Sequence, residues 1–83
     1  MYKIYLLPQA QKDLDNFTGK IFQQIKAKIF SLRNNLRPPG CLKLTAEEGY
    51  RLRSGNYRII YRVDDKEKIV YIYRIKHRKE AYK

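Results

Sequence analysis

The hydrophobic period of this chain changes at Pro38-Pro39-Gly40. Before that break, apolar residues recur every three to four positions; after it, they recur every second position. Such a chain builds helices first and strands second. It must then bury one stripe of the helices against one face of the sheet. Eighty-three residues leave room for one core, so the whole of 1–83 is expected to be a single domain.

The parts follow from the same pattern. Tyr2 to Leu7 is an apolar, β-prone run ended by Pro8, and reads as the first strand. Pro8 suits the first turn of a helix, where its missing N–H costs nothing. Ala10, Leu14 and Phe17 then follow at helical spacing. Thr18 is the expected N-cap of a longer helix whose apolar stripe is Ile21, Phe22, Ile25, Ile29 and Leu32. Asn34-Asn35 and the Pro-Pro-Gly break end it. Leu42 to Leu44 reads as a short strand. Tyr50 to Arg53 and Tyr57 to Val63 alternate around the turn Ser54-Gly55-Asn56. Asp64 to Glu67 is the next turn, Ile69 to Ile75 the last long strand, and Arg78 to Lys83 a final helical turn or charged tail. The expected fold is α+β: an N-terminal strand, a helical hairpin, then an antiparallel sheet of three to four strands.

Alternation assigns the faces. Tyr50 and Leu52 point one way, Arg51 and Arg53 the other. Tyr57, Ile59, Tyr61 and Val63 share one face, Arg58 and Arg62 the opposite one. Arg74, Lys76 and Arg78 are in phase with one another. A sheet covered by helices on one side would therefore gather cations from three strands on its bare side.

The charge agrees. The chain carries a net +11, and residues 50–83 hold eleven basic against four acidic side chains. Such a field attracts polyanions, with nucleic acid the first candidate. Arginine forks fit phosphate, and tyrosines, eight in the chain, stack on bases. The plainer alternative is a solvated sheet with ordinary cross-strand Arg and Tyr pairs. Cys41, the only cysteine, excludes an intrachain disulfide and a cysteine-cluster metal site, and reads as a passive core or loop residue. The apolar run near the N-terminus is too short for a signal peptide, and nothing approaches a membrane span, so a cytoplasmic protein is expected.

Metal-free RNA cleavage is within reach of such groups. The ribose 2′-OH attacks the adjacent phosphorus. A base takes its proton, cations stabilise the transition state, and an acid protonates the leaving 5′ oxygen. Lys or Arg could replace the usual His–Glu pair only with a pKa depressed by neighbouring like charge. His77 is the one histidine and is an acid or base by chemistry; a packed or exposed histidine is the plainer reading. Glu47 and Glu48 read as solvated loop carboxylates.

The run from Gly49 to Tyr61, GYRLRSGNYRIIY, resembles the central hairpin of RelE/ParE superfamily toxins, and Ile75 to Tyr82, IKHRKEAY, resembles their C-terminal signature. The N-terminal run LPQAQKDL and Leu42-Lys43-Leu44 fit as well, so the resemblance spans nearly the whole chain. It implies a toxin of a type II toxin–antitoxin system, most simply of the RelE kind, which cuts messenger RNA in the ribosomal A site. It also implies a RelB-like antitoxin, the message and the ribosome with its 16S rRNA as partners, and no cofactor. Residue by residue, Arg51 and Arg53 match two RelE lysines, Arg58 the transition-state arginine, and Tyr82 the tyrosine that stacks on a message base. Lys76 falls where RelE has an arginine proposed as general acid, and Arg78 matches a second family arginine. Arginine at 51 and 53 is a poorer base than lysine, though it still clamps phosphate. The expected catalytic set is thus Arg51, Arg53, Arg58, Lys76, Arg78 and Tyr82. The expected RNA-binding set is Arg51, Arg53, Arg62, Arg74, His77 and Lys79. Two alternatives remain open: a ParE-like gyrase inhibitor, and a catalytically inactive RNA-binding member.

Overall fold

The computed structural model describes residues 2–44, 49–77 and Lys79. Strand β1 (Lys3–Leu6) leads into helix α1 (Pro8–Asp15), then α2 (Gly19–Ser31), β2 (Cys41–Lys43), β3 (Tyr50–Ser54), β4 (Tyr57–Asp64) and β5 (Ile69–His77). The α+β class and the element order are as expected. Pro8 opens α1, and Thr18 takes the N-cap position of α2 in an extended conformation, without a side-chain capping bond.

The sheet is larger than expected and mixed. Among the described residues it has five strands, in the order β1-β5-β4-β3-β2. Strands β2 to β5 are antiparallel, and β1 adds parallel to β5, with Lys3 opposite Ile69 and Leu6 opposite Ile72. Local periodicity marks a strand but does not say which strand it will pair with, so the place of β1 was not legible.

The inner face carries the core. Leu52, Ile59, Tyr61, Val70, Ile72 and Ile75 form one cluster with Ala10 and Leu14 of α1, Ile25 and Ile29 of α2, and Leu32 just beyond it. Burying an aliphatic side chain of this size is worth about 1.5–3 kcal/mol. The expected stripe of α2 needs one correction. Ile21 stays 43% exposed, as does Phe30 at 42%, while Phe22 only packs against the edge of the core. A stripe drawn at helical spacing is wider than the strip a small sheet can cover.

Tyr61 ties the segment after α2 to the sheet. Its hydroxyl donates to the Leu36 carbonyl at 2.8 Å and so accepts from the Cys41 thiol at 3.1 Å. Burial, then the contact with Cys41, pushes its pKa up, and the phenol stays neutral. Cys41 is therefore a packing residue with a hydrogen bond. Gly49, entering β3, is pressed against the same strand. Its φ is +129°, and a Cβ there would lie 2.7 Å from the Tyr61 carbonyl oxygen.

Two glycines give a paired test. Gly49→Ala meets backbone that cannot yield and is expected to cost about 2–3 kcal/mol, combining overpacking with strain. Gly55→Ala in the β3–β4 turn has φ +59° but open space around it, and is expected to cost about 1 kcal/mol. Urea denaturation of the two variants checks the difference.

Candidate nucleic-acid interface

The outer face of the sheet carries a line of cations across three strands. Arg53 on β3 lies directly opposite Arg58 on β4, and Arg58 lies directly opposite Lys76 on β5. Directly opposed residues share a face, with Cβ atoms about 5 Å apart. Arg51 is two residues from Arg53 on that face, with Leu42 of β2 opposite it. Like charges in such positions disfavour the fold by a few tenths of a kcal/mol or more per pair. A bound polyanion reverses the sign of that contribution.

Arg51, Arg53 and Arg58 line one shallow cavity of about 330 Å³ together with Gly40 and Leu42. Arg58 is the deepest of the three cations at 8% exposure, and its Nη1 donates to the Tyr57 carbonyl at 3.4 Å. The sequence alone put Arg58 on this face, but not its depth. That depth comes from its place on β4, which has strands on both sides. Arg53 at the hairpin end is exposed, and its Nε donates to the Gly55 carbonyl at 3.3 Å.

The other expected residues are placed as follows. Arg62 lies on the outer face, where its Nε donates to the Tyr73 hydroxyl at 2.8 Å. Arg74 is turned to the edge of β5, where it forms an ion pair with Asp13 of α1, Nε to Oδ2 at 2.8 Å. His77 is not brought to the cation row. It lies opposite Tyr57 and meets that ring edge-on at 5.3 Å, and Phe17 meets the same ring edge-on at 4.8 Å. His77 therefore sits on the helix-covered side, because alternation separates it from Lys76. Lys79 is exposed, and its backbone N–H donates to Nδ1 of His77. Arg78, Tyr82, Glu47 and Glu48, like the expected C-terminal turn apart from Lys79, lie outside the described residues.

Asp13 is a positioning group that the sequence did not reveal. The β1–β5 ladder ends at Leu7 N–H to the Ile72 carbonyl, and Tyr73 is a bulged residue with no partner on β4. Asp13 takes over just beyond, accepting from Arg74 and from the Ile75 N–H at 2.9 Å. Burial alone would raise its pKa. The Arg74 and Ile75 hydrogen bonds and the Arg74 charge outweigh that and hold the carboxyl below its ordinary value. The bulge matters because it shifts the phase of β5. Ile72 and Ile75, three apart, both face inward, and Lys76 then faces outward beside Arg58.

The comparisons with known proteins fit this architecture. The family model described as the ParE toxin of the type II toxin–antitoxin system parDE matches residues 4–82. The chain belongs to the RelE/ParE toxin superfamily. Toxin RelG of Mycobacterium tuberculosis is 29% identical to this toxin over 84 residues, covering 99% of this chain and 97% of the relative. The toxin–antitoxin complex RelBE2 of the same organism superposes with a TM-score of 0.80 at 26% identity, over 92% of this chain and 96% of the other. The RelB–RelE complex of Methanococcus jannaschii does so at 0.72 and 30% identity, over 93% of each chain. Among the toxin's described residues, no helix is long and apolar enough to cross a membrane.

Asp13→Asn tests the edge contact. A carboxyl whose pKa is lowered by folding contributes stability above its unfolded pKa, near 3.8, and loses it as pH falls through the lower folded value. The variant is therefore expected to be less stable than wild type at neutral pH, with the gap closing below about pH 3.8. Thermal melts across that range measure it.

Proposed function

We propose that this toxin is a ribosome-dependent endoribonuclease that cleaves messenger RNA in the A site without a metal, by 2′-OH attack on the adjacent phosphate. The observation that carries this reading is the Arg53–Arg58–Lys76 line beside Arg51, with Arg58 recessed in the shared cavity. In-line attack builds negative charge on the phosphate oxygens. A recessed, preorganised guanidinium acts on that charge without reorganising at the moment of reaction. Arg51 and Arg53 at the rim suit a bidentate grip on the phosphates on either side. Lys76, level with Arg58, is the candidate for delivering a proton to the leaving 5′ oxygen. By the family resemblance, Arg78 would share that role and Tyr82 would stack on a message base.

A cognate antitoxin belongs to the same proposal. Several structural relatives are solved as toxin–antitoxin complexes. An amphipathic antitoxin helix with acidic side chains opposite Arg51, Arg53, Arg58 and Arg78 would quench the row.

The matching family model is the ParE one, so gyrase inhibition is the second reading. Brief expression in a bacterial host, with mapping of message 5′ ends, separates the two. Cuts within translated codons are expected, and Arg58→Ala is expected to reduce them about 100- to 1,000-fold, the scale for losing one preorganised donor. Growth arrest with intact messages and DNA damage would give the toxin to the gyrase branch.

A further inference from the structure

The outer face does not end at the cation row. Four residues further along β4 from Arg58, about 13 Å at strand spacing, stands Arg62, and around it are three tyrosines from two other strands. Arg62 lies opposite Tyr71 of β5, and Tyr71 lies opposite Tyr5 of β1. The Arg62 guanidinium sits over the Tyr71 ring at 4.8 Å, while its Nε is held by the Tyr73 hydroxyl at 2.8 Å. The Tyr5 and Tyr71 rings meet edge-on, with centroids 5.8 Å apart and planes at 63°.

Two features set this group apart from ordinary cross-strand packing. The first is exposure: Tyr5 is 53% exposed, on the face opposite the one that α1 and α2 cover. An aromatic side chain pays to remain in water, and an edge strand ordinarily carries charge instead. The second is continuity. From Tyr5 to Arg53 the outer side of β1, β5, β4 and β3 is one sheet surface. It has π-faces and a fixed guanidinium at one end and phosphate-binding cations at the other. A protein partner complementary to a net charge of +11 would bring carboxylates, and these suit the cation row but not the tyrosine end. A single-stranded nucleic acid brings phosphates and flat bases together, in the order the surface presents them.

We infer that Tyr5, Tyr71 and the tyrosine-held Arg62 form a stacking subsite for a nucleobase of single-stranded RNA whose backbone continues across the Arg51–Arg53–Arg58 row. Tyr73 is a positioning residue: its hydroxyl holds the guanidinium plane where a base can lie against it. The base can come from the message or from a single-stranded loop of ribosomal RNA; the chemistry is the same. The inference rests on the nucleic-acid reading of the face, not on cleavage.

The test uses a short single-stranded RNA with 2′-O-methyl riboses, which cannot be cut because the nucleophile is blocked, carrying iodouridine for photocrosslinking. Fluorescence anisotropy is expected to show about tenfold weaker binding for Tyr5→Ser, the lower range for one lost base stack. Its salt dependence should match wild type, since no phosphate contact is lost. Tyr5→Phe should bind like wild type, which separates stacking from misfolding. Crosslinks should map to Tyr5 or Tyr71. On ribosomes, the crosslinked RNA identifies the source as message or ribosomal RNA, and either supports the subsite. Unchanged RNA affinity for Tyr5→Ser, with no crosslink at either tyrosine, would overturn it. So would a loss of antitoxin affinity in Tyr5→Ser with RNA affinity unchanged, which would assign the tyrosines to a protein. Messages left uncut by the wild-type toxin in cells would sink the nuclease reading while leaving these measurements in force.

Discussion

Strand β4 occupies the middle of the sheet, and its two-residue period constrains everything around it. Ile59 and Tyr61 are fully buried on the inner side. With those two fixed, Arg58 and Arg62 have no choice of face. A one-residue slip would put both arginines into the core and both apolar side chains into water, at a cost of several kcal/mol. The core therefore holds the cations in place. The repulsion along Arg53, Arg58 and Lys76 is tolerated because the inner face outweighs it.

That division of labour explains where the helices sit. α1 and α2 supply Ala10, Leu14, Ile25 and Ile29 to the inner side and leave the outer side bare. Asp13 is the exception, reaching the sheet edge to receive the Ile75 N–H and the Arg74 guanidinium. Through that contact α1 holds β5 just after the bulge, on the approach to Lys76. A substitution on the helix side can thus reach the far face without touching it.

Much of this was legible in the residues. Alternation gave the strands, the inner Leu52, Ile59 and Tyr61, and the outer Arg51, Arg53, Arg58 and Arg62, because both faces of a strand are written in its own sequence. What depends on a partner far along the chain was not legible. The parallel pairing of β1 with β5, the bulge at Tyr73, the depth of Arg58 and the diversion of Arg74 to Asp13 all need the third dimension. His77 lies among the cations in sequence, but its strand parity differs from that of Lys76 and sends it to the other face. The Tyr5–Tyr71 contact was hidden for the same reason as the β1 pairing, since 66 residues separate the two.

The β1–β5 pairing also bears on the order in which the protein can come into being. A nascent chain emerges from its N-terminus, so Lys3–Leu6 waits without a ladder partner until Ile69–Ile72 has been made. The cation row has the same dependence, because Lys76 is among the last residues of the sheet to leave the ribosome. Partial chains carry the basic residues of β3 and β4 but not the line that crosses all three strands. The face is complete only once β5 has been made, and the β1–β5 contacts, about 66 residues apart in sequence, form late and slowly. For a chain made by the machinery it is proposed to attack, topology works as a timer: until β5 is out of the ribosome, the polypeptide has no complete cation row to attack with.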